Sequence, residues 1–459
     1  MLMRTPASSH HAQRVTRKTW LLACAVGAVI GLVATASFSL FVRRTTDSHF
    51  IEGGATVAAV VIFFATYAVV AIGKLPGFHM DRAGAALLGA SLMVATGLLS
   101  LGDAYRAIDI DTIALLLGMM IVVANLRLSG FFQAVNNWVV PRAGHSIALL
   151  GAVTLVSGLF SAFLVNDAIC LALTPLVLDF VTRLRRNPVP YLLAVAMASN
   201  VGSTATITGN PQNIMIGSFS QIPYVTFASV LWPVAAAGLV LVIILIALFF
   251  PAEFWTRERL RGEAQAARVH QALLAKSLLV VLITMAAYFA GQAPAKVALI
   301  AGAFLLLTRR VKSEKVYKQI DWPLLLMFMG LFIVVAGFEK AVLTPDSISA
   351  VSRLHLDQLP VLSLITAALS NLVSNVPAVL VLKPFVANLP DPERAWLAIA
   401  MSSTLAGNLT LVGSVANLIV VQLARAHGVT IRFWDYAKVG APLTILTILI
   451  GVLWLQTAG

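Results

Sequence analysis

The sequence predicts an all-α polytopic membrane protein of about 11 transmembrane helices plus two re-entrant hairpins, arranged as an inverted-topology repeat. Three observations carry that prediction. Of 459 residues, 59% are hydrophobic and only 11% charged, a composition foreign to a soluble globule. Apolar stretches of spanning length recur along the chain. Polar, glycine-containing interruptions fall at related positions in its two halves.

The apolar segments, flanked by charge or by Pro and Gly, lie near 19–42, 54–74, 83–101, 112–131, 190–217, 224–250, 272–291, 293–309, 322–342, 393–424 and 434–456. The first follows Arg4, Arg14, Arg17 and Lys18 and runs on past a signal peptide's core, so it is read as a retained extra span after a cytoplasmic tail, together 1–53. Two further segments, 145–181 and 360–389, are interrupted by Asn166-Asp167 and Ser374-Asn375. Each half of about 15 residues makes roughly 22 Å of helix, enough to enter the membrane and return but short of a crossing. Both are read as hairpins.

Charge orients the chain. A formal +13 would suggest nucleic acid in a soluble protein, but with the N-terminus in the cytoplasm about three quarters of the Lys and Arg residues fall on the cytoplasmic side. No nucleic-acid partner is needed to account for them. Arg183 to Arg186, Arg257 to Arg268 and Arg309 to Lys318 dominate the bias, Arg43 and Arg44 run against it, and the C-terminus falls in the periplasm. The expected location is a bacterial-type inner, or plasma, membrane. Cys24 and Cys170 lie far apart in apolar segments, which implies neither a disulfide framework nor a thiol metal site.

The chain also repeats itself. Ile108 to Ala124 matches Ile320 to Ala336 at an offset of 212, Val165 to Pro175 matches Ser374 to Pro384 at 209, and the stretch from Ser199 matches Ser403 to Val420 at 204. The last register superposes Thr206 on Thr410, Gly209 on Gly413 and Asn213 on Asn417. Because four spans lie between the Ile-Asp helices, the copies have opposite orientation: repeat 1 covers 54–250, a basic cytoplasmic linker 251–271, and repeat 2 272–459. Inverted repeats of this kind belong to alternating-access transporters.

Within repeat 1 the span at 190–217 cannot be one helix. Gly202, Ser203, Thr204, Thr206 and Thr208 are poor helix formers, and Gly209 closes the run. Asn210 suits an N-cap and Pro211 the first helical position, so a second half-helix should restart there. Lipid cannot satisfy backbone groups freed by such a break, which must therefore face a polar cavity. Two hairpin tips and two breaks meeting near the midplane make the candidate site: Asn166, Asp167, Gly202, Ser203, Thr204, Thr206, Thr208, Asn210, Asn213, Ser374, Asn375, Asn408, Thr410, Ser414 and Asn417. Half-helix N-termini there attract anions, while unwound carbonyls and hydroxyls coordinate small cations. Asp167, the acidic residue nearest the junction, suits a proton or cation pathway, or else a plain helix cap. Lys383 is expected to snorkel to the periplasmic interface. No catalytic motif or His–carboxylate cluster accompanies these residues, so neither an enzyme nor a bound transition-metal cofactor is expected.

The stretches VNDAICLALTP, SNVGSTATITGNPQN, SNVPAVLVLKP and GNLTLVGSVANLIV resemble the ion transporter superfamily. The nearest likeness is to its arsenite-permease and citrate-transporter-like branch, and more distantly to divalent anion:sodium symporters. The resemblance covers about 54–456. It implies a scaffold, a mobile transport domain carrying both hairpins, elevator-type movement and a homodimer. It would put Asn166, Asn375, Thr206, Asn210, Thr410 and Ser414 around substrate and coupling ions, with a sodium ion as one candidate at Asn166, Asn375 and the breaks. The leading expectation is a secondary transporter for a small anion or neutral oxyacid, driven by protons or sodium. A sodium/proton antiporter and a channel with re-entrant half-helices are the alternatives.

Overall fold

The computed structural model describes residues 48–73, 80–139, 142–255, 260, 269–307, 311–342 and 354–457. The expected span 19–42 and most of the linker 251–271 lie outside the described residues. Helices α1 (Ser48–Ile72), α2 (Arg82–Ala95), α3 (Leu101–Ala107), α4 (Ile110–Ser129) and α5 (Phe131–Val139) lead to the first hairpin, α6 (Ser146–Phe163) and α7 (Asn166–Arg183). The first broken span follows as α8 (Pro188–Ser203), a 3₁₀ turn (Ile207–Gly209) and α9 (Pro211–Ser220). Next come α10 (Tyr224–Phe249), the short α11 (Pro251–Phe254), α12 (Gln271–Phe289), α13 (Pro294–Leu306), the short α14 (Ser313–Tyr317) and α15 (Trp322–Val342). The second hairpin is α16 (Leu359–Val373) and α17 (Asn375–Val386), the second broken span α18 (Pro392–Ala406) and α19 (Val415–Ala426), and α20 (Phe433–Thr457) closes the chain.

Local chemistry sets the ends of these helices, and it does so twice. Asn187 caps α8 by accepting from the Val189 amide, and Pro188 takes the first helical position; Asp391 and Pro392 do the same for α18. Asn210 accepts from the Asn213 amide to start α9, as Ser414 accepts from the Ala416 amide to start α19. Each pair differs by the offset of 204 seen in the sequence. Close helix crossings pair in the same way. A Cβ on Gly118 of α4 would lie 2.4 Å from the Ala298 carbonyl of α13, and one on Gly330 of α15 would lie 2.7 Å from the Ala86 carbonyl of α2. Only glycine permits so close an approach. Both the glycines and the alanines are 212 residues apart.

The chain forms two compact units. One is Met1–Ile108 with Leu326–Leu343, as far as described, and the other Asp109–Leu325 with Thr344–Gly459. The hairpins and both broken spans belong wholly to the second.

Helix lengths depart from the expected spans in several places. Seven helices among the described residues are long and apolar enough to cross a membrane, six of them at expected spans. The segments at 83–101 and 293–309 instead carry the shorter α2 and α13. The seventh is α6, an arm of the first hairpin. Its 18 residues, and the 18 of α7, exceed the arms expected from sequence, with only Leu164 and Val165 between them. The second hairpin keeps arms of 15 and 12 residues.

Candidate functional site

Each broken span unwinds where its sequence stops favouring helix. After Ser203 the chain passes through Thr204 and the 3₁₀ turn at Ile207–Gly209 before restarting at Pro211. After Ala406 it runs irregularly to Ser414. The freed carbonyls are taken by an asparagine from the half-helix that follows. Asn213 donates its side-chain amide to the Ser203 and Thr206 carbonyls at 3.1 and 3.0 Å. Asn417, its partner in register, donates to Gly407 and Thr410 at 2.8 and 3.2 Å. At Ser203, Thr206 and Thr410 they add to a donor already present, the Asn210 side-chain amide and the Gly209 and Gly413 amides respectively.

Two side chains that the sequence reading did not single out join the breaks. Asn200, in the last turn of α8, uses its whole amide: Nδ2 donates to Asn408 Oδ1 and Asn417 Oδ1, both at 3.0 Å. Its Oδ1 accepts from Asn166 Nδ2 at 3.2 Å and Ser414 Oγ at 3.1 Å. Thr404 mirrors it from α18. Its hydroxyl accepts from Asn210 Nδ2 and Gln212 Nε2, both at 3.1 Å, and donates to Asn213 Oδ1 at 3.4 Å. Asn200 and Thr404 are themselves 204 residues apart. The register that paired Thr206 with Thr410 pairs them too, a signal already present in the sequence.

The other expected residues take distinct places. Ser203 and Thr204 turn their hydroxyls back to the Asn200 carbonyl at 2.8 and 3.3 Å. Thr206 donates to the Ala162 carbonyl of α6, and Thr208 bonds Tyr224 of α10 at 2.9 Å. These two threonines brace the first break against neighbouring helices, away from the Asn200 cluster. Gly202 is a contact point: a Cβ there would lie 2.1 Å from the Gly158 carbonyl oxygen. Asn408 donates to the Met197 carbonyl at 3.4 Å.

The hairpin tips differ from the expected arrangement. Helices α7 and α17 begin at Asn166 and Asn375 themselves, with Val165 and Ser374 as caps that make no side-chain bond. Asp167 is therefore the second residue of α7, not a cap, and it is half-buried. The first turn's free N–H groups favour negative charge at that place. Asn166 is buried, and its Oδ1 has no hydrogen-bond partner among the described residues; Asn375 Oδ1 is alike. Asn375 and Ser374 are only half-buried. Asn371, one turn before the second tip, donates to the Ala406 carbonyl of the second break at 3.0 Å. Lys383 of α17 is half-buried, with its ammonium 4.7 Å over the Phe219 ring.

Polar side chains from both halves of the second unit thus converge in an apolar setting, with acceptor oxygens unused at each hairpin tip. No group of three or more His, Cys, Asp or Glu residues that could hold a metal ion occurs among the described residues.

Comparisons with known proteins give the chain's family and fold. The chain is 30% identical over 425 residues to an uncharacterized transporter of Mycobacterium bovis, covering 87% of this chain and 98% of that one. It is 29% identical over 452 residues to a silicon efflux transporter of Oryza sativa subsp. japonica, covering 83% and 93%. With the inner membrane protein YbiR of Escherichia coli it shares 30% identity over 346 residues, covering 75% and 87%. The crystal structure of the YdaH transporter of Alcanivorax borkumensis has the same fold at a TM-score of 0.54 and 16% identity, across 88% of this chain and 97% of that one. The model of the citrate transporter family matches residues 60–396. By that match the chain is a multi-pass membrane transporter and belongs to the citrate transporter family.

Proposed function

We propose that the protein is a secondary active transporter that moves a small anion or oxyacid by alternating access, coupled to a proton or sodium gradient. One observation carries the reading: Asn200 and Thr404, 204 residues apart, each bond the opposite broken span. A site built at the junction of two inverted copies can be presented to either side of the membrane when the domain that carries it moves. Relatives named for silicon efflux and a family named for citrate bracket the solute between a small oxyacid and a carboxylate.

The orientation inferred from charge is supported by contacts within each side. The His270 amide donates to the Ser129 carbonyl at 3.0 Å, and Arg127 donates to Gln319 at 2.9 Å, joining the end of the span 112–131 assigned to the cytoplasmic side to two cytoplasmic segments. Ser218 donates to Asp109 at 2.8 Å, and both belong to segments assigned to the periplasm. The N-terminus is accordingly cytoplasmic and the C-terminus periplasmic in this proposal. Elevator movement and a homodimer follow from the superfamily likeness.

Counterflow in proteoliposomes tests the transport reading, because only a carrier accelerates labelled uptake against a trans-loaded solute. Silicic acid, arsenite and citrate, each with and without sodium or a pH gradient, are the solutes to try. Flux that ignores trans solute would leave a channel. The unused oxygens of Asn166 and Asn375 favour one second reading, a sodium/proton antiporter. Gradient-driven sodium movement with no solute counterflow would select it.

A further inference from the structure

Asp109 and Asp321 stand at the same place in the two copies, in the register of 212, and they start their helices in the same way. Asp109 accepts from the Thr112 amide at 2.7 Å, and Asp321 accepts from the Leu324 amide at 3.0 Å. Of the two, Asp109 also meets a broken span. The hydroxyl of Ser218, in the last turn of α9, donates to its carboxylate, 3.0 and 2.8 Å from the two oxygens. The register of the breaks pairs Ser218 with Gln422 of α19. Gln422 carries an equivalent donor in its side-chain amide. Yet Gln422 and Asp321 are both exposed and share no hydrogen bond among the described residues. The breaks differ in the same sense: Thr208 is fully buried, whereas its register partner Val412 is 64% exposed.

The caps are alike and each copy holds both a carboxylate and a donor, so local chemistry does not explain why one contact is made and the other is not. Conformation does. Helices α9 and α19 carry Asn213 and Asn417, and a bond from either helix to the start of α4 or α15 ties the polar centre toward one membrane face. Inverted copies offer the same contact at both faces, and a movement that separates one pair can bring the other together. We infer that Asp109 with Ser218 and Asp321 with Gln422 form two alternating latches. The first closes the site to the periplasm and is made in the conformation described; the second, when made, closes it to the cytoplasm. This inference rests on the transporter reading and names the residues that hold its two end states.

Crosslinking tests it without any solute. In a chain carrying Cys24→Ala and Cys170→Ala, a short bis-methanethiosulfonate should join Asp109→Cys to Ser218→Cys and, in a separate protein, Asp321→Cys to Gln422→Cys. Failure of the second pair to crosslink overturns the inference, since the cytoplasmic latch would then never form. Adding Ser218→Ala to the second pair should speed its crosslinking about tenfold, the factor that a hydrogen bond to a charged group is worth, because releasing one latch shifts the population toward the other. Asp109→Asn, which keeps an oxygen for the helix cap, should act in the same direction. Unchanged rates in both variants would leave the Asp109 contact a static one and also overturn the inference. In counterflow with silicic acid, arsenite and citrate, crosslinking either pair should stop transport and reduction should restore it; transport through a crosslinked pair rejects the latch. Should the wild type carry none of the three, the transport reading fails on that result, while the crosslinking rates still decide whether the two contacts alternate.

Discussion

The two hairpin tips occupy matching places in the sequence and differ in how the protein holds them. At the first, Leu164, Val165 and Asn166 are buried, and the Asn166 amide is tied to Asn200. At the second, a single residue joins the arms: Ser374, at φ 80° and ψ 159°. That region is nearly confined to glycine and costs a serine about 1–3 kcal/mol. Its neighbour Asn375 is half-buried. The first tip is thus part of the packed polar centre, while the second leans on the break at Ala406 through Asn371. The matching positions keep an asparagine at each tip but not the bonds that hold it. One hairpin is tied to the centre, and the other carries the backbone strain and the looser fit.

The largest effect should come from the residue that makes this difference. Asn200→Ala removes four buried hydrogen bonds and should cost about 3–5 kcal/mol, against about 2 kcal/mol for Thr404→Val, which loses three through one hydroxyl. Equal losses in denaturant unfolding of the purified protein would mean that the two hubs are equivalent and the tips are held alike.

Next come the tips themselves. Asn166→Ala should destabilise by about 1–2 kcal/mol because Asn200 Oδ1 loses a donor, whereas Asn375→Ala should change stability by less than about 0.5 kcal/mol. Transport should stop in both variants. Normal counterflow by the pair would remove the tips from the site. If only Asn375→Ala remained active, the first tip alone would carry the solute.

Backbone strain offers a sharper comparison with a smaller effect. Ser374→Gly should stabilise the protein by about 0.5–1 kcal/mol, since glycine adopts this conformation freely, while Val165→Gly should destabilise it by about 1 kcal/mol or more. A loss of stability at both tips would show that Ser374 is not strained.

The smallest effect on stability is expected at Asp167, which does not cap its helix. Asp167→Asn keeps the shape and removes the charge, so solute exchange without a gradient should survive while accumulation driven by a proton or sodium gradient is lost. The comparison is uptake with and without an imposed gradient in the same proteoliposomes. Undiminished accumulation by the variant would move coupling to the backbone and hydroxyl groups of the breaks.

The sequence by itself determined where the helices of the two broken spans start. Asn187-Pro188, Asn210-Pro211, Asp391-Pro392 and Ser414 act on their own first turns, and such short-range chemistry needs no tertiary partner to be read. It also determined that three matching stretches recur in the same order, because such matches are read along the chain. Only the tertiary structure decided which polar groups meet. Asn200 finds its amide acceptors 208 and 217 residues away, and nothing in local propensity ranks Asn408 and Asn417 above other buried asparagines. The unequal hairpins were decided there as well. The length of an arm and the conformation of its tip depend on what the arm packs against, so two stretches aligned residue for residue close into one tied turn and one strained turn.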